Sequence, residues 1–331
     1  MVRAPLRISF FGGGTDYPAW YLKNGGAVIS AAIDRYCYVT LKKLPPFFNH
    51  RHRIVYSKIE EVESLEDVQH PAVRAILTHY GNGADSYEMH HFSDLPARTG
   101  LGSSSAFSAA LLSALEAING RNIDKESLLR ETLWAEQKLM GESVGSQDQT
   151  ASVYGGLNHI RFGTDGRINV QPIHMSVQAQ TKLLAACMLF YTGTSRLAET
   201  IAAKKTQNVS VRQRQLSAIH ESVGSALELL TDEEVQVDGL GALMHQMWQM
   251  KKELADGVSN ASLDQIYDRA IDAGALGGKL LGAGGGGFFL FIVPESKQSN
   301  VRKALSDLLL VDFGIDADGV QRLAGRLKPT N

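Results

Sequence analysis

PARTGLGSSS, residues 96–105, is the stretch of sequence that decides the fold. Before it, Tyr87, Met89 and His91 alternate with polar neighbours, a pattern typical of a strand. After it, apolar side chains recur at helical spacing over residues 103–118. Glycines let the chain turn sharply between the two elements, and the serines are expected to cap the helix, whose N-terminus carries partial positive charge. The stretch is therefore predicted to bind an anion, and the usual anion in such a site is a phosphate.

This loop differs from two better-known phosphate sites. A Walker loop requires Gly-Lys-Ser/Thr and a dinucleotide fingerprint requires Gly-x-Gly-x-x-Gly, and residues 96–105 contain neither. A second glycine-rich run, LGAGGGGF, occupies residues 281–288. Either run alone could be a turn in a chain that has 32 glycines among 331 residues. The prediction therefore depends on the motifs that lie around and between them.

Composition places the chain among soluble globular proteins, with 44% hydrophobic and 21% charged residues. Its length suffices for about two domains. A formal net charge of −2 gives no basic surplus for nucleic acid or an anionic membrane. The N-terminus lacks the apolar core of a signal peptide, and no apolar run approaches the roughly 20 residues of a membrane helix. We therefore expect a cytoplasmic protein, with Cys37 and Cys187 as buried thiols.

Strand and helix patterns intermix in both halves of the chain, which predicts the α+β class or an α/β arrangement. The apolar patterns predict strands over residues 27–44 and 181–191. They predict helices over residues 128–140 and 299–310. A change in composition places the domain boundary near residues 165–180.

Four polar residues in or near these motifs could carry chemistry. Asp148 lies in the small, polar segment GSQDQTAS, and Glu136 lies on a predicted helix. Arg7 stands between apolar neighbours in the first strand, and Asp16 follows GGGT. Each also has a plainer interpretation, as a cap, a solvated charge or an Asx turn. Local sequence leaves both interpretations open.

Taken together, the motifs resemble a known superfamily. RAPLR, PARTGLGSSS, GSQDQ and LGAGGGG occur in the order seen in the galactose, homoserine, mevalonate and phosphomevalonate kinases, the GHMP kinases, and the resemblance covers residues 3–310. It implies an ATP-dependent kinase of small metabolites with a two-domain α+β fold. Residues 1–175 would resemble the second domain of ribosomal protein S5, and residues 176–331 would be ferredoxin-like.

The resemblance also implies roles for individual residues. Asp148 would be the catalytic aspartate, and Arg7 would hold it ionised. Mg²⁺ would be held by Ser104, with Ser103 as the alternative, and by Glu136. ATP would be bound through the two glycine-rich segments, by Pro96, Gly100, Leu101, Gly102, Ser103, Ser104, Ser105, Gly284 and Gly285.

The resemblance implies that the acceptor contacts GGGTDY, residues 12–17, which stands where galactokinases carry Gly-Glu-His-Thr-Asp-Tyr. Two glycines in place of Glu and His argue against galactose and favour a bulkier sugar. Together with YTGTSR at residues 191–196, the segment is similar to D-glycero-D-manno-heptose 7-phosphate kinases. That similarity implies phosphorylation of the anomeric hydroxyl, giving a 1,7-bisphosphate for nucleotide-activated heptose and surface glycans. The substrate-binding residues would be Thr15, Asp16, Tyr17 and Arg196.

Several alternatives remain open at this point. The distal phosphate of such a substrate needs a cation, and Arg98 or residues 51–53 could serve instead of Arg196. The enzyme could instead be a sugar 1-kinase for fucose or an unphosphorylated heptose. A non-catalytic sugar or ATP sensor is the alternative of another class. A homodimer is possible, and neither nucleic acid nor membrane is expected as a partner.

Overall fold

The computed structural model describes residues 1–193, 212–232 and 234–323, which form two β-sheets with helices packed on them. The strands are antiparallel to their neighbours except for one parallel pair, β3 with β5, among the described residues. The eight-stranded sheet has the order β12-β1-β2-β5-β3-β4, with β6 joining β2 to β7. Its strands are β1 (Val2–Phe11), β2 (Gly26–Lys43), β3 (His52–Val55), β4 (Ile59–Val62), β5 (Tyr87–Ser93), β6 (Leu157–Phe162), β7 (Ile168–Pro172) and β12 (Gln321–Arg322).

A four-stranded sheet lies in the second half of the chain, in the order β11-β8-β10-β9. Its strands are β8 (Cys187–Tyr191), β9 (Gly277–Leu280), β10 (Phe288–Ile292) and β11 (Leu309–Val311). The helices are α1 (Pro18–Asn24), α2 (Pro71–Tyr80), α3 (Ser103–Ile118), α4 (Lys125–Trp134), α5 (Gln147–Tyr154), α6 (Val177–Ala186), α7 (Gln213–Thr231), α8 (Val237–Lys252), α9 (Ala261–Asp272) and α10 (Glu295–Ala304). The predicted α+β class is confirmed.

Helix α3 is the central element of the first sheet's core. Every residue from Ser105 to Leu115 is buried, which is possible because most of these side chains are small. Its buried serines do not remain unpaired: the Ser108 hydroxyl, for example, donates to the carbonyl of Ser104 at 3.2 Å. The predicted helix over residues 103–118 is confirmed with both of its ends.

Three predicted boundaries differ from the structure: the start of the strand predicted over residues 181–191 and both ends of the helix predicted over residues 299–310. The predicted strand over residues 181–191 is wrong in its first half, since α6 runs to Ala186 and only β8 is extended. Ser176 begins that helix by accepting a hydrogen bond from the backbone N–H of Ala179 at 3.1 Å. The predicted helix over residues 299–310 begins earlier, after Pro294, and its last residues instead pair as β11 with β8.

The predicted helix over residues 128–140 is longer and less regular than expected. It begins at α4, where the Asp124 carboxylate accepts the N–H of Ser127 at 2.8 Å. It then widens into a π-helical turn over Ala135–Leu139. Such turns occur mostly as single bulges, frequently at functional sites.

The last described segment returns to the first sheet. Strand β12 pairs with β1, and Ile315 forms a bridge with Ile33. The carboxylate of Asp316 accepts the hydroxyl of Tyr36 at 2.9 Å, which ties this segment to β2. These residues were predicted to belong to the second domain, and in the structure they pair with the eight-stranded sheet.

Two further predictions concern the cysteines and membrane-spanning helices. Cys37 is a buried free thiol, as predicted, and Cys187 is a half-buried one. Over the described ranges, no helix combines the length and apolar character needed to cross a membrane.

Candidate functional site

The centre of the site is a buried ion pair between β1 and α5. Arg7 donates two parallel hydrogen bonds to Asp148, from Nε to Oδ1 and from Nη2 to Oδ2, each at 2.8 Å. The Arg7 side chain is 4% exposed and that of Asp148 is 29% exposed. A paired guanidinium therefore covers one side of the carboxylate, while part of the carboxylate remains exposed. Such bidentate pairs fix both the position and the orientation of a carboxylate.

Arg7 also holds the loop of residues 96–105. Its Nη1 donates to the carbonyl of Gly100 at 2.5 Å, and its backbone N–H donates to the carbonyl of Leu101 at 2.9 Å. A Cβ placed on Gly102 would lie 3.4 Å from Oδ2 of Asp148. The predicted phosphate loop and the predicted catalytic aspartate are thus so close that one added methyl group would bridge them.

The N-terminus of α3 is open to a ligand. The residue that caps it is Gly102, which adopts the left-handed conformation with φ 74° and offers no side chain. The expectation that serines cap this helix is wrong, because Ser103, Ser104 and Ser105 lie within its first turn. Because no side chain caps the helix and no acidic residue lies in its first turn, its first N–H groups and its dipole are available to an anion.

The second glycine-rich run packs directly on this loop. A Cβ on Gly282 would lie 2.4 Å from the Cα of Gly100, and one on Gly287 would lie 2.1 Å from the carbonyl oxygen of Thr99. These distances are shorter than any van der Waals contact, so only glycine permits the two backbones to approach so closely. Lys251 supports the run from below, donating to the carbonyls of Leu280 at 2.5 Å and Gly282 at 2.8 Å.

Of the two glycines assigned to ATP in this run, Gly284 packs against Val258, and the N–H of Gly285 donates to the carbonyl of Val258 at 3.1 Å. The run is therefore anchored within the second half of the chain while it touches the first half. Pro96 contributes a carbonyl that accepts the hydroxyl of Thr99 at 2.7 Å and so fixes the start of the phosphate loop.

Glu136 lies in the π-helical turn and is fully buried. Its Oε2 accepts the hydroxyl of Ser105 at 2.9 Å and the side-chain amide of Gln149. Its Oε1 is buried with no hydrogen-bond partner among the described residues. Burial raises its pKa to about 7, although the donors around it act in the opposite direction.

The surroundings of Glu136 fit a hard divalent cation. An unsatisfied carboxylate oxygen beside a serine hydroxyl is the donor type that Mg²⁺ prefers, and Mg²⁺ needs few protein ligands because it retains water. The hydroxyl that contacts Glu136 belongs to Ser105, whereas Ser104 is exposed. No group of three or more acidic, His or Cys ligands occurs in the part of the chain that the structure describes.

The residues predicted to bind substrate line or support the turn after β1. Asp16 is buried, and its carboxylate accepts the N–H of Gly14 at 2.9 Å and that of Gln147 at 3.4 Å. Burial raises its pKa, and the nearby charge of Asp148 adds to the effect. Thr15 directs its hydroxyl to the carbonyls of Gly12 and Ala27.

Thr15 therefore anchors the turn, and Asp16 connects it to the start of α5. Tyr17 is half-buried, and its pKa is raised by burial and by the charges of Asp16 and Asp148. Gly145 allows Asp16 its place, because a Cβ there would lie 1.8 Å from Oδ2 of Asp16.

Three of the candidate cations for a distal phosphate belong to the described residues: Arg51 and Arg98, which are exposed, and Arg53, which is half-buried. Arg196 lies outside the described residues. Arg51 donates to the carbonyls of Gly83 and Ala84, and Arg53 pairs with Glu61 and Glu88. Arg98 is exposed within the phosphate loop and has an unusual positive φ of 62°.

Sequence reasoning missed the residues that support these groups. Gln149, which donates to Glu136, stands one residue after Asp148, so the repeated glutamine in SQDQ was an available indication. The sequence contains no comparable indication for Lys251, because nothing in it relates a lysine on α8 to a glycine run 30 residues later.

Comparison with known proteins is consistent with this geometry. Residues 68–156 match the family model of the GHMP kinases N terminal domain, and residues 226–309 match that of the GHMP kinases C terminal domain. The first match contains the phosphate loop, Glu136 and Asp148. The second contains Lys251 and the closing glycine run.

Individual relatives cover most of the chain. A D-glycero-alpha-D-manno-heptose 7-phosphate kinase of Campylobacter jejuni is 29% identical, over 96% of this chain and 97% of that protein. A mevalonate kinase of Thermococcus onnurineus is 30% identical, over 76% of this chain and 72% of its own length. A crystal structure of a D-glycero-D-manno-heptose 1-phosphate kinase from Bacteroides thetaiotaomicron has a TM-score of 0.78 at 23% identity, covering 98% of this chain and all of that one (100%). The last similarity concerns the fold alone.

The contact between the glycine runs yields a first prediction. In Gly282→Ala, the added Cβ separates the two backbones, and we expect the KM for ATP to rise about tenfold, equivalent to about 1.4 kcal/mol. The control is Gly120→Ala. Gly120 has a φ of 71°, close to the 69° of Gly282, but a Cβ on Gly120 would have no atom within 4 Å. Steady-state kinetics should show an unchanged KM in the control. Equal effects in both variants would mean that backbone strain, not the contact, is responsible.

The raised pKa of Glu136 yields a second prediction. Its folded-state pKa is about 7 against an ordinary 4.5, so its contribution to stability falls as pH rises from 4.5 to 7. Glu136→Gln removes the buried charge, and the ligand-free variant should melt several degrees above the wild type at pH 8. The difference should vanish near pH 4, where the wild-type carboxyl is protonated in both states.

Thermal denaturation at both pH values measures this effect. The control is Glu63→Gln, which alters an exposed carboxylate and should leave Tm unchanged at either pH. A lower Tm for Glu136→Gln at pH 8 would contradict the assignment of Glu136 as a strained, unsatisfied charge.

Proposed function

The chain belongs to the GHMP kinases, ATP-dependent enzymes that phosphorylate an alcohol, and we propose that its acceptor is the anomeric hydroxyl of D-glycero-D-manno-heptose 7-phosphate. The product would be the 1,7-bisphosphate, a precursor of nucleotide-activated heptose for surface glycans. The family is shown by the two matching models and by the Thermococcus relative. The sugar is inferred from the Campylobacter relative together with the GGGTDY turn.

One observation carries the kinase mechanism: Asp148 lies beside the phosphate loop with part of its carboxylate exposed. Arg7 stabilises the ionised carboxylate by two hydrogen bonds and leaves further lone pairs free to accept the proton of a hydroxyl. We infer that Asp148 is the general base. An anomeric hydroxyl is more acidic than an ordinary alcohol, so a carboxylate suffices to orient it and accept its proton.

The remaining catalysis is stabilisation of charge. The N–H groups at the start of α3 would bind the phosphate oxygens of ATP and would meet the charge that develops during transfer. Glu136 and a serine of the first turn, Ser104 or Ser105, would hold Mg²⁺ beside these oxygens. Mg²⁺ supplies charge neutralisation on the phosphates when bound. The contact between the glycine runs would exclude water from this part of the cleft.

The turn at residues 12–17 supports a sugar larger than galactose. Gly13 and Gly14 stand where galactokinases carry Glu and His, so the contacts that those two side chains would make to a hexose are absent, and Asp16 fixes the turn against α5. A substrate that already carries a phosphate requires a cation at the far end. Arg196 remains the candidate on sequence grounds, and Arg98 is the exposed alternative among the described residues.

The substrate is tested by ADP release from Mg-ATP. The acceptors are D-glycero-D-manno-heptose 7-phosphate, the unphosphorylated heptose, L-fucose and galactose. We expect turnover with the 7-phosphate and at least 100-fold lower kcat/KM with the others. Preference for fucose or for the free heptose would replace the proposed acceptor but retain the kinase. ATP binding without turnover of any sugar would favour the sensor function.

The base is tested by Asp148→Asn. We expect kcat to fall by about 10²–10⁴, the usual contribution of a positioned base. The Tm should fall, because Asn leaves the buried charge of Arg7 unpaired, so kcat is compared at a temperature at which both proteins are fully folded. Asp165→Asn, an exposed carboxylate on the turn before β7, is the control for loss of charge alone. A fall in kcat of less than tenfold would exclude Asp148 as the base.

A further inference from the structure

Lys279 is a buried side chain that joins the two sheets. It lies on β9 and is 8% exposed, and its Nζ donates to the carbonyl of Phe10, near the end of β1, at 3.1 Å. The closing glycine run (residues 281–288) starts just after Lys279, and the GGGTDY turn starts just after Phe11. We propose that Lys279 is a positioning residue that fixes the acceptor turn relative to the closing run; the proposal rests on the acceptor contact with residues 12–17 proposed above.

The pairing of β9 directs Lys279 toward the first sheet. Lys279 lies directly opposite Leu290 on β10, and side chains that are opposite each other in this way share one face of a sheet. Leu290 and Leu281 belong to the hydrophobic core that also contains Phe10, whereas Leu280 belongs to a different core cluster. Lys279 therefore lies among apolar side chains that face β1.

The carbonyl that accepts from Lys279 belongs to a β-bulge. The residues on either side of Phe10 pair with Ser30 and Ile29, which are consecutive in β2. Phe10 is therefore an extra residue on β1 that has no partner in the register of β2. A bulge leaves such a residue unpaired in the ladder and bends the strand locally. Lys279 supplies a hydrogen bond to this residue at the point where β1 leads into the acceptor turn.

The acceptor turn is also bound to β2 and to α5. The hydroxyl of Thr15 donates to the carbonyl of Ala27, and the carboxylate of Asp16 accepts the N–H of Gln147. Both of these hydrogen bonds are made within the first half of the chain and hold the second part of the turn. Lys279 holds the approach to its first part, and it does so from the second half of the chain.

The closing run keeps other supports if Lys279 is altered. Lys251 donates to the carbonyls of Leu280 and Gly282, and β9 pairs with β10 over its whole length. Loss of the Lys279 amino group should therefore leave the closing run in place and release the beginning of the acceptor turn. The two buried lysines thus predict different effects: Lys279 acts on the acceptor, and Lys251 acts on ATP.

A lysine is a costly residue for this position. Lysine is almost never fully buried unless its amino group is paired, and burial of that group costs free energy that the hydrogen bond must offset. Methionine has nearly the same length and would fill the same apolar surroundings without this cost. The presence of Lys279 in place of an apolar side chain therefore argues for a role of its hydrogen bond beyond packing.

The first test measures amide hydrogen exchange of the ligand-free protein by mass spectrometry. Lys279→Met removes the donor and keeps the length of the side chain, so exchange in residues 11–17 should become at least about fivefold faster, because local opening of the turn then requires less free energy. Exchange in residues 281–288 should not change. Lys251→Met is the matched contrast and should show the reverse pattern. Unchanged exchange in residues 11–17 of Lys279→Met would overturn the proposal.

The second test measures kinetics with the acceptor found by the ADP-release panel. In Lys279→Met, the KM for the acceptor should rise about tenfold, as expected for a lost buried hydrogen bond, with the KM for ATP within about twofold of the wild type. Lys251→Met should raise the KM for ATP instead. Lys303→Met alters an exposed lysine on α10 and should change neither value. Equal increases of both KM values in Lys279→Met would indicate a general loosening between the sheets and would overturn the proposal.

Circular dichroism establishes that each variant is folded. If Lys279→Met does not fold, Lys279→Leu takes its place in both tests, since it also removes the amino group. Failure of both variants to fold would make Lys279 necessary for the fold itself and would overturn its assignment as a positioning residue.

The two levels of inference fail in different ways. If exchange in residues 11–17 rises but the KM for the acceptor does not, the positioning role is wrong and the kinase activity stands. If the wild type selects a sugar other than the heptose 7-phosphate, the proposed acceptor is wrong, and the same variants test the positioning role with that sugar. The exchange measurement needs no sugar, so its result is independent of the identity of the acceptor.

Discussion

One guanidinium group determines the geometry of the site. Arg7 is bound to Asp148 on α5 and to Gly100 in the phosphate loop, and its backbone holds Leu101. The residue that would accept a proton and the loop that would bind ATP are thus fixed relative to one strand. A buried cation held by three directed hydrogen bonds tolerates little displacement, because a lost bond to Asp148 would weaken the pairing of a charge in the interior. The distance between Asp148 and the loop of residues 96–105 is therefore determined by β1.

The second constraint is the contact between the glycine runs. Arg7 positions the phosphate loop from within the first sheet, but the other side of that loop is covered by residues from the second half of the chain. Gly100 and Gly282 meet backbone to backbone, and Lys251 fixes the carbonyls on the far side. The closure is therefore built from main-chain atoms whose positions depend on strands, and it does not require mobile side chains.

The sequence predicted these parts unevenly, for physical reasons. Motifs whose residues are neighbours in the chain were read correctly: the strand, glycine loop and helix around residues 87–118, and the α+β class. The cap of α3 was predicted wrongly, because serines after glycine resemble a cap, whereas the left-handed Gly102 occupies that position. The strand predicted over residues 181–191 was wrong in its first half, because an apolar stretch does not reveal where a helix ends and a strand begins. Lys251 was not predicted, since its importance arises from partners that are distant in sequence.

Some buried polar atoms without a partner lie close to the candidate site, and others, such as Nε2 of His50 and Nε1 of Trp248, lie elsewhere in the chain. Glu136 has an unpaired carboxylate oxygen and a raised pKa, Asp16 is a buried acid beside a second acid, and Ser9 and Gln147 lack partners. Elsewhere in the core of the first sheet, buried hydroxyls such as those of Ser30, Ser108 and Thr132 have acceptors. Native proteins have few unpaired buried polar groups, since each one lowers stability. The unpaired carboxylate oxygen of Glu136 is best explained if a bound cation completes the coordination that the folded chain leaves unfinished.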